Sequence, residues 1–168
     1  QVHSGDVKIY RLRDAAPRAY VVHRTHLLAE DAEALALLSD SGFQPQQEAV
    51  LAGGEALAGG GAASEVTVTR YEPERIEIQA ATEAPGYLVL SDAWYPGWQA
   101  TVDGAPAPIE RANIHFRAVR LSPGTHEVVF RYRPASYRIG ALVSLVALVG
   151  LGGQVLLHSI QRQRGRER

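Results

Sequence analysis

Residues 88–134 read LVLSDAWYPGWQATVDGAPAPIERANIHFRAVRLSPGTHEVVFRYRP, and their pattern indicates the fold class. Short apolar or alternating runs are separated by turn signals such as Asp103-Gly104, a spacing typical of antiparallel β-structure. The run 87–90 is apolar throughout, which predicts a strand buried on both faces. We therefore predict a mainly β fold, an antiparallel, jelly-roll-like β-sandwich. The predicted strands are residues 66–69, 76–79, 87–90, 98–102, 114–121 and 126–133.

The first part of the chain has a different pattern and predicts a small α+β segment. Residues 7–12 and 19–23 are typical of short strands, and residues 29–43 contain a helix with acids in its first turn and Gly42 at its end. The Gly/Ala-rich residues 52–64 predict a flexible loop. The sequence leaves open whether the parts on either side of this loop share one sheet. The predicted organisation is 1–51 α+β, 52–64 loop, 65–138 sandwich, 139–157 membrane helix and 158–168 tail.

Residues 139–157, IGALVSLVALVGLGGQVLL, contain no charged side chain. At ~1.5 Å per residue this helix is about 28 Å long, close to the ~30 Å hydrocarbon core of a bilayer. A buried helix of a soluble protein is the alternative, but in a domain this small it would normally show a polar face. The pattern therefore predicts one transmembrane helix.

The charges that flank this helix predict its orientation. The tail 158–168 carries four arginines and one acid, which is typical of a cytoplasmic end. Residues 1–138 are then exoplasmic. Residues 111–138, with six arginines and one acid, weaken this argument slightly, although folded domains translocate largely regardless of charge.

Composition excludes several classes of function. The net charge of −1 and the pI near 6.7 give no reason to expect a nucleic-acid partner. The chain has no Cys, which excludes disulfides, thiolate metal sites and Cys nucleophiles. His23 and His26 lie at a strand end rather than on a helix, and His115 and His126, predicted on neighbouring strands, have no clear third ligand. We expect no metal and no cofactor.

Catalytic chemistry has little support in the sequence. Asp92, Asp103 and Glu110 can be combined into an acid/base pair, but Asp103 is explained by its turn. No serine lies in a nucleophile-elbow pattern, and the Gly-rich loop has neither the Lys of a P-loop nor a dinucleotide-site frame. We assign no catalytic residue.

Residues 91–98 form the most distinctive segment of the chain, SDAWYPGW. Trp94 and Tyr95 can form a platform for sugar rings, whose C–H faces pack on aromatic surfaces, and Asp92 can accept hydrogen bonds from sugar hydroxyls. The alternative is that the aromatic residues are core, which is the interpretation that we favour for Trp98. The predicted ligand-binding residues are Asp92, Trp94 and Tyr95.

Arginines concentrate near the apolar helix, with aromatic residues between them. We predict contact with lipid headgroups or with the phosphate of a lipid-linked sugar through Arg131, Arg133 and Arg138. A solvated strand face is the alternative, and it also accounts for Arg111, Arg117 and Arg120.

The same stretch, followed directly by a membrane helix, resembles the C-terminal end of YfhO-type bacterial membrane proteins, which are similar to the GT-C class of lipid-phosphosugar-dependent glycosyltransferases. The upstream run 17–22 and Tyr10 also resemble that family. The matching motifs are Tyr95-Pro96-Gly97-Trp98, Val102-Asp103-Gly104, Arg111-Ala112-Asn113, Phe116-Arg117-Ala118-Val119, Pro123-Gly124-Thr125-His126 and Tyr132-Arg133-Pro134.

The resemblance implies a bacterial inner-membrane protein that acts in cell-surface polysaccharide or lipid glycosylation. In GT-C proteins the catalytic acid lies in an early exoplasmic loop that no part of this chain matches, so this module is expected to be non-catalytic by itself. Its implied partners are the bilayer, the remainder of a multi-spanning chain and a glycan or lipid-linked sugar. The alternative is a membrane-anchored, non-enzymatic carbohydrate-binding or scaffolding module. Many membrane helices before Gln1 would favour the first interpretation, and a signal peptide alone would favour the second.

Overall fold

The computed structural model describes residues 3–4, 8–9 and 15–164. These residues form thirteen strands and two helices, and the chain divides into two compact units, Gln1–Tyr132 and Arg133–Arg168. In chain order the elements are β1 His3–Ser4, β2 Lys8–Ile9, β3 Ala19–Val22, β4 Arg24–Leu27, α1 Asp31–Leu38, β5 Glu48–Leu51, β6 Ser64–Glu72, β7 Arg75–Thr82, β8 Gly86–Leu90, β9 Trp98–Val102, β10 Ala105–Ala107, β11 Glu110–Ala112, β12 Phe116–Leu121, β13 Gly124–Tyr132 and α2 Ala135–Arg164.

One sheet of the first unit has six strands in the order β3-β8-β12-β11-β5-β4. Its neighbours are antiparallel except for the parallel pair β4–β5. Strands from before the Gly/Ala-rich loop pair directly with strands from after it, as in Val21 opposite Leu88 and Leu51 opposite Ala112. The two parts of the chain therefore share one sheet system.

The second sheet has five antiparallel strands in the order β10-β9-β13-β7-β6. Its β9–β10 hairpin closes through Asp103 and Gly104, whose φ angles of 52° and 80° are those of a tight two-residue turn. The turn predicted at these residues is confirmed. β13 lies at the centre of the sheet between β9 and β7, and its residues 128–130 are buried.

The two sheets pack face to face around one apolar core. β8 contributes Leu88 and Leu90, and β13 contributes Val128 and Phe130, all fully buried. The opposite face of β8 carries Tyr87 and Val89, which belong to a second apolar cluster. The strand predicted to be buried on both faces therefore has that arrangement, and a mainly β fold with two sheets is confirmed.

The last two strands lie in different sheets, β12 in the six-stranded sheet and β13 in the five-stranded one. The prediction that His115 and His126 lie on neighbouring strands is therefore wrong. His115 precedes β12 in a turn, because Asn113 and Ile114 adopt positive φ angles of 46° and 69° and end the extended run. For the same reason the strand expected from residue 114 begins at Phe116.

The predicted first helix is confirmed as α1, which is tied to the six-stranded sheet by an ion pair of 2.7 Å between Asp31 and Arg111. β4 and β5 were not predicted from the sequence. The Gly/Ala-rich loop is attached to β4, since the Thr25 amide donates to the Leu57 carbonyl at 2.9 Å. Of the strand predicted at residues 7–12, only Lys8–Ile9 lies within the described residues.

The second unit consists of α2, whose segment Ala135–Gln154 has a mean hydropathy of 1.6. It is the one helix among the described residues that is long and apolar enough to cross a membrane. Its apolar side chains are exposed, as at Val146 and Leu148. By length and composition α2 is a candidate membrane span.

Candidate functional site

The aromatic segment forms the connection from β8 to β9, where the chain passes from one sheet to the other. Backbone hydrogen bonds hold the segment in place. The Ser91 amide donates to the Arg18 carbonyl oxygen at 2.8 Å, and the Trp94 amide donates to the His115 carbonyl oxygen at 2.6 Å. Gly97, with a φ of 107°, supplies a left-handed conformation that other residues rarely adopt. The side chains of this turn are therefore presented from a fixed backbone.

Two aromatic rings of the turn face solvent. Trp94 is 40% exposed and Tyr95 is 62% exposed. Trp98, at the start of β9, is partly buried against the apolar core and its ring centroid lies 5.3 Å from that of Tyr132. The predicted core position of Trp98 and the predicted outward positions of Trp94 and Tyr95 agree with these exposures; the ligand-binding role of Trp94 and Tyr95 stays a prediction.

These rings border two clefts. One has a volume of about 630 Å³ and is lined by residues 94–101 with Pro106, Ala107 and Ile109. The other has a volume of about 490 Å³ and is lined by Tyr71, Glu72, Pro73, Ile76, Asp92, Ala93, Tyr95, Trp98 and Arg117. Both volumes lie in the range of small-molecule sites, and Tyr95 and Trp98 line both clefts.

Asp92 lies in the wall of the 490 Å³ cleft, and its carboxylate already has three protein donors. Arg18 donates to it at 2.7 Å, the Tyr71 hydroxyl at 3.2 Å and Arg117 at 3.2 Å. The side chain is only 14% exposed. Asp92 therefore links Arg18, Tyr71 and Arg117 in the cleft wall. A ligand hydroxyl binds the Asp92 carboxylate only in competition with these donors.

Arg117, on β12, points between the two sheets and is 2% exposed. Its guanidinium carbon lies 3.8 Å from the centroid of the Trp98 ring and 5.4 Å from that of Phe130. Its Nε and Nη1 atoms have no hydrogen-bond partner among the described residues. Burial lowers the pKa of Arg117, and the negative charge of Asp92 opposes that shift. A guanidinium remains protonated under these conditions, so the cleft contains a buried positive charge.

Sequence reasoning missed two members of this group. Tyr71 comes from the edge strand β6 and belongs to no motif, whereas Arg18 lies just before β3 in the family-like run 17–22, which was given no role in a site. Only the pairing of the strands brings them to Asp92. For Arg117 the alternative of a solvated strand face is wrong, because the packing of the two sheets buries its side chain beneath Trp98.

The arginines predicted to contact lipid or phosphate lie in different places. Arg131 is half-buried on β13, opposite Gln99 on β9. Arg133 is exposed and belongs to the second unit. Arg138 lies in α2, and its side chain is outside the described part of the chain. The contact with lipid or phosphate stays a prediction for all three.

A Ser–His–Asp arrangement occurs at the β12–β13 loop. His126 Nδ1 lies 2.7 Å from an Asp103 carboxylate oxygen, and its Nε2 lies 3.2 Å from the Ser122 hydroxyl. However, Nε2 also lies 2.9 Å from the Ser122 carbonyl oxygen, to which it can only donate. A nitrogen that donates a proton cannot accept one from the hydroxyl, so this geometry fixes a loop rather than activating a nucleophile.

Metal binding has no support in the described residues. No group of three or more His, Cys, Asp or Glu side chains in residues 15–154 lies close enough together to hold an ion. His26 is instead paired with Glu48 at 2.7 Å, and His23 lies against the Pro85 carbonyl oxygen at 3.0 Å.

Comparison with known proteins gives one family. The sequence profile of the family described as "Bacterial membrane protein YfhO" matches residues 60–144, half of the chain. The match includes the aromatic turn, Arg117 and the first ten residues of α2. An "Uncharacterized protein YfhO" of Bacillus subtilis (strain 168) is 29% identical over 63 residues, which cover 38% of this chain and 7% of that protein. The matched part is therefore a small fraction of the relative's length. No solved structure matches the chain.

Proposed function

The chain belongs to the YfhO family of bacterial membrane proteins, and on that premise we propose that its β-unit is an exoplasmic carbohydrate-binding module. The module would serve a multi-spanning, glycosyltransferase-type protein that acts in cell-surface polysaccharide or lipid glycosylation. Catalysis would belong to other parts of such a protein, and this module would hold a glycan or lipid-linked sugar beside it.

The observation that carries this proposal is the pair of aromatic-walled clefts. Sugar rings have apolar C–H faces and a rim of hydroxyls, so they bind where flat aromatic surfaces stand next to hydrogen-bonding groups. Tyr95 and Trp98 line both clefts, and Trp94 extends the wall of the larger one. Asp92 and the Tyr71 hydroxyl supply polar atoms at the edge of the smaller one.

The topology that we propose places residues 1–138 outside the bacterial inner membrane, the apolar segment 139–157 across it and the tail 158–168 in the cytoplasm. The four arginines of the tail support this orientation through the positive-inside tendency. The bilayer and the rest of the multi-spanning protein are then the partners of this unit, and Arg131, Arg133 and Arg138 are proposed to contact headgroups or a lipid-linked phosphate.

The second candidate function is a membrane-anchored binding or scaffolding module with no transferase attached. The Asp103–His126–Ser122 geometry favours binding over chemistry for the described residues, because its imidazole donates where a general base must accept. The first candidate and the carbohydrate-binding form of the second both require glycan binding at the aromatic turn, which is therefore the property to test first.

The test is a titration of the full chain with oligosaccharides, read by tryptophan fluorescence. The chain contains two tryptophans, Trp94 and Trp98, and both lie in the site, so the signal reports on the clefts directly. The full chain is held in phosphatidylcholine nanodiscs, because a sugar-headed detergent would compete. Oligomers of N-acetylglucosamine, glucose and galacturonic acid serve as defined probes.

Replacing both Trp94 and Tyr95 with alanine is expected to weaken binding at least tenfold while the thermal midpoint stays nearly unchanged, since both side chains are exposed. Binding by the variant is measured with an attached dye, because one reporter tryptophan is lost. Leu35→Ala is the control, since Leu35 is an exposed apolar residue on α1, away from the clefts. Undiminished binding by the double variant, or a large fall in its thermal midpoint, would contradict the proposal.

A further inference from the structure

The floor of the 490 Å³ cleft contains donors that nothing in the described chain accepts. Arg117 lines this cleft and is almost fully buried, yet its Nε and Nη1 atoms have no partner. A guanidinium carries five N–H groups, of which one on Nε and two on Nη1 are therefore unpaired here. Unpaired buried donors of a charged group are costly and rare, so this position needs a physical explanation.

Contact with aromatic rings explains only part of the burial of the Arg117 guanidinium. Trp98 and Phe130 attract the positive charge through their ring faces. A ring face is only a weak acceptor of N–H groups, so the contact with Trp98 does not replace hydrogen bonds to oxygen. The unpaired donors still require an oxygen acceptor.

The charges around the cleft add to this preference. Asp92 is shared between Arg18 and Arg117, so these three side chains carry one positive charge in excess. Glu72 also lines the cleft, but its carboxylate lies 2.7 Å from the guanidinium of Arg70 and is neutralised there. The group at the cleft floor is thus short of one negative charge.

We infer that this cleft accepts an anionic group carried by a sugar, a carboxylate or a phosphate, and that Arg117 is the residue that selects it. The inference rests on the proposed function and names the class of its ligand: an acidic glycan, with aromatic rings under the sugar and Arg117 and Arg18 at the anion. The exposed Tyr71 hydroxyl, 3.0 Å from Arg18 and 3.2 Å from Asp92, lies beside this group.

Asp92 gives this inference a distinctive consequence. Its carboxylate accepts from Nη2 of Arg117 and Nη1 of Arg18, next to the unpaired Nε and Nη1 of Arg117, so its negative charge repels a ligand anion at those atoms. Replacing Asp92 with asparagine keeps the size of the side chain and removes its charge. Binding of an acidic sugar should then become tighter, whereas a purely structural role of Asp92 would make all binding weaker.

The experiment compares oligogalacturonate with its methyl ester, which has the same sugars without the charge, on the full chain in phosphatidylcholine nanodiscs. A glucose phosphate and inorganic phosphate are added as separate titrants to distinguish a carboxylate, a sugar phosphate and a free ion. We expect the acidic oligomer to bind at least tenfold more tightly than the ester, and this ratio to rise further in Asp92→Asn. In Arg117→Met the ratio should fall to about one.

Arg24→Met is the charge-matched control, because Arg24 is exposed on β4 and its removal changes the net charge equally. Equal affinity for acid and ester in the unaltered chain would overturn the inference and leave glycan binding intact. Binding of neither oligomer would overturn both the inference and the proposed function, and binding of inorganic phosphate alone would overturn the sugar requirement. If Arg117→Met does not fold, the acid-to-ester ratio of the unaltered chain and its change in Asp92→Asn still test the inference.

Discussion

At the scale of single residues, close contact between backbones decides which side chains fit. Gly86 begins β8 where that strand lies against β3, and an added Cβ would lie 2.6 Å from a Val21 methyl group and 3.0 Å from the Val22 carbonyl oxygen. Gly60, by contrast, has open space around it and no left-handed backbone. Gly86 is therefore required by its close contacts and Gly60 is not, although both have apolar neighbours in the sequence.

We predict that Gly86→Ala lowers the free energy of unfolding by about 1–3 kcal/mol, because the β3–β8 pair must separate to admit the methyl group. Thermal unfolding of the full chain, followed by far-UV circular dichroism, measures the change. Gly60→Ala is the matched control and should leave stability unchanged or raise it by a few tenths of a kcal/mol. Similar thermal midpoints for the two variants would show that the contact at Gly86 relaxes easily.

At the scale of elements, one imidazole links two connections of the sandwich. His126, near the start of β13, bonds Asp103 in the β9–β10 turn and the Ser122 carbonyl in the loop after β12. The Asp103 hydrogen bond raises the pKa of His126, and the same bond lowers the pKa of Asp103. The charged forms of both residues therefore stabilise the folded state.

This pair predicts a pH dependence of stability with a definite sign. The stabilisation of the folded state by His126 is fully present below the ordinary histidine pKa of about 6.5. It is lost as the pH rises through the raised pKa of His126 in the folded chain. The stabilisation by Asp103 is present above the ordinary pKa of an aspartate and is lost as the pH falls through the lowered pKa of Asp103 in the folded chain. The thermal midpoint of the native chain should therefore exceed that of His126→Gln by more at pH 6 than at pH 9.

The control for this prediction is Asp103→Asn. Asparagine tolerates the positive φ of 52° at this position, so the turn is kept while the charge is removed. In the Asp103→Asn background, the difference in thermal midpoint between the chain with His126 and the His126→Gln variant should be nearly the same at pH 6 and pH 9. A pH-dependent difference that persists without the Asp103 charge would assign the effect to another group.

At the scale of the whole molecule, the β-unit and the apolar helix belong to a family of bacterial membrane proteins, and the orientation of the helix is a proposal. The complete absence of cysteine makes the orientation easy to test, because any introduced thiol is unique. In the proposed topology Gly60, in the Gly/Ala-rich loop, and Ser159, beyond the apolar segment, lie on opposite sides of the membrane.

With a membrane-impermeant maleimide on intact bacterial cells, Gly60→Cys should be labelled and Ser159→Cys should react only after the cells are made permeable. Both variants should remain in the membrane fraction after washing at alkaline pH, since a helix of this length is retained by the bilayer. The reverse labelling pattern would invert the proposed topology. Release of the chain by the alkaline wash would remove α2 as a span.

Features that depend on neighbouring residues follow from the sequence alone. The two-residue turn at Asp103-Gly104, the doubly buried β8, the short helix α1 and the apolar α2 are confirmed because each follows from local conformation or from periodicity of burial. The family was likewise identified from motifs that lie at turns and in strands. The exposure of Trp94 and Tyr95 also agrees with the prediction, because both lie in a turn.

Features that depend on residues distant in the chain follow from the tertiary structure and not from any local pattern. It placed β12 and β13 in different sheets, which separated His115 from His126, and it joined β3 and β5 to strands from the other side of the Gly/Ala-rich loop. It also brought Arg18 and Tyr71 to Asp92 and put Arg117 beneath Trp98. The physical reason is that the pairing of strands and the packing of sheets minimise exposed apolar area over the whole unit, so partners are chosen by the complete set of strands and no local pattern encodes them.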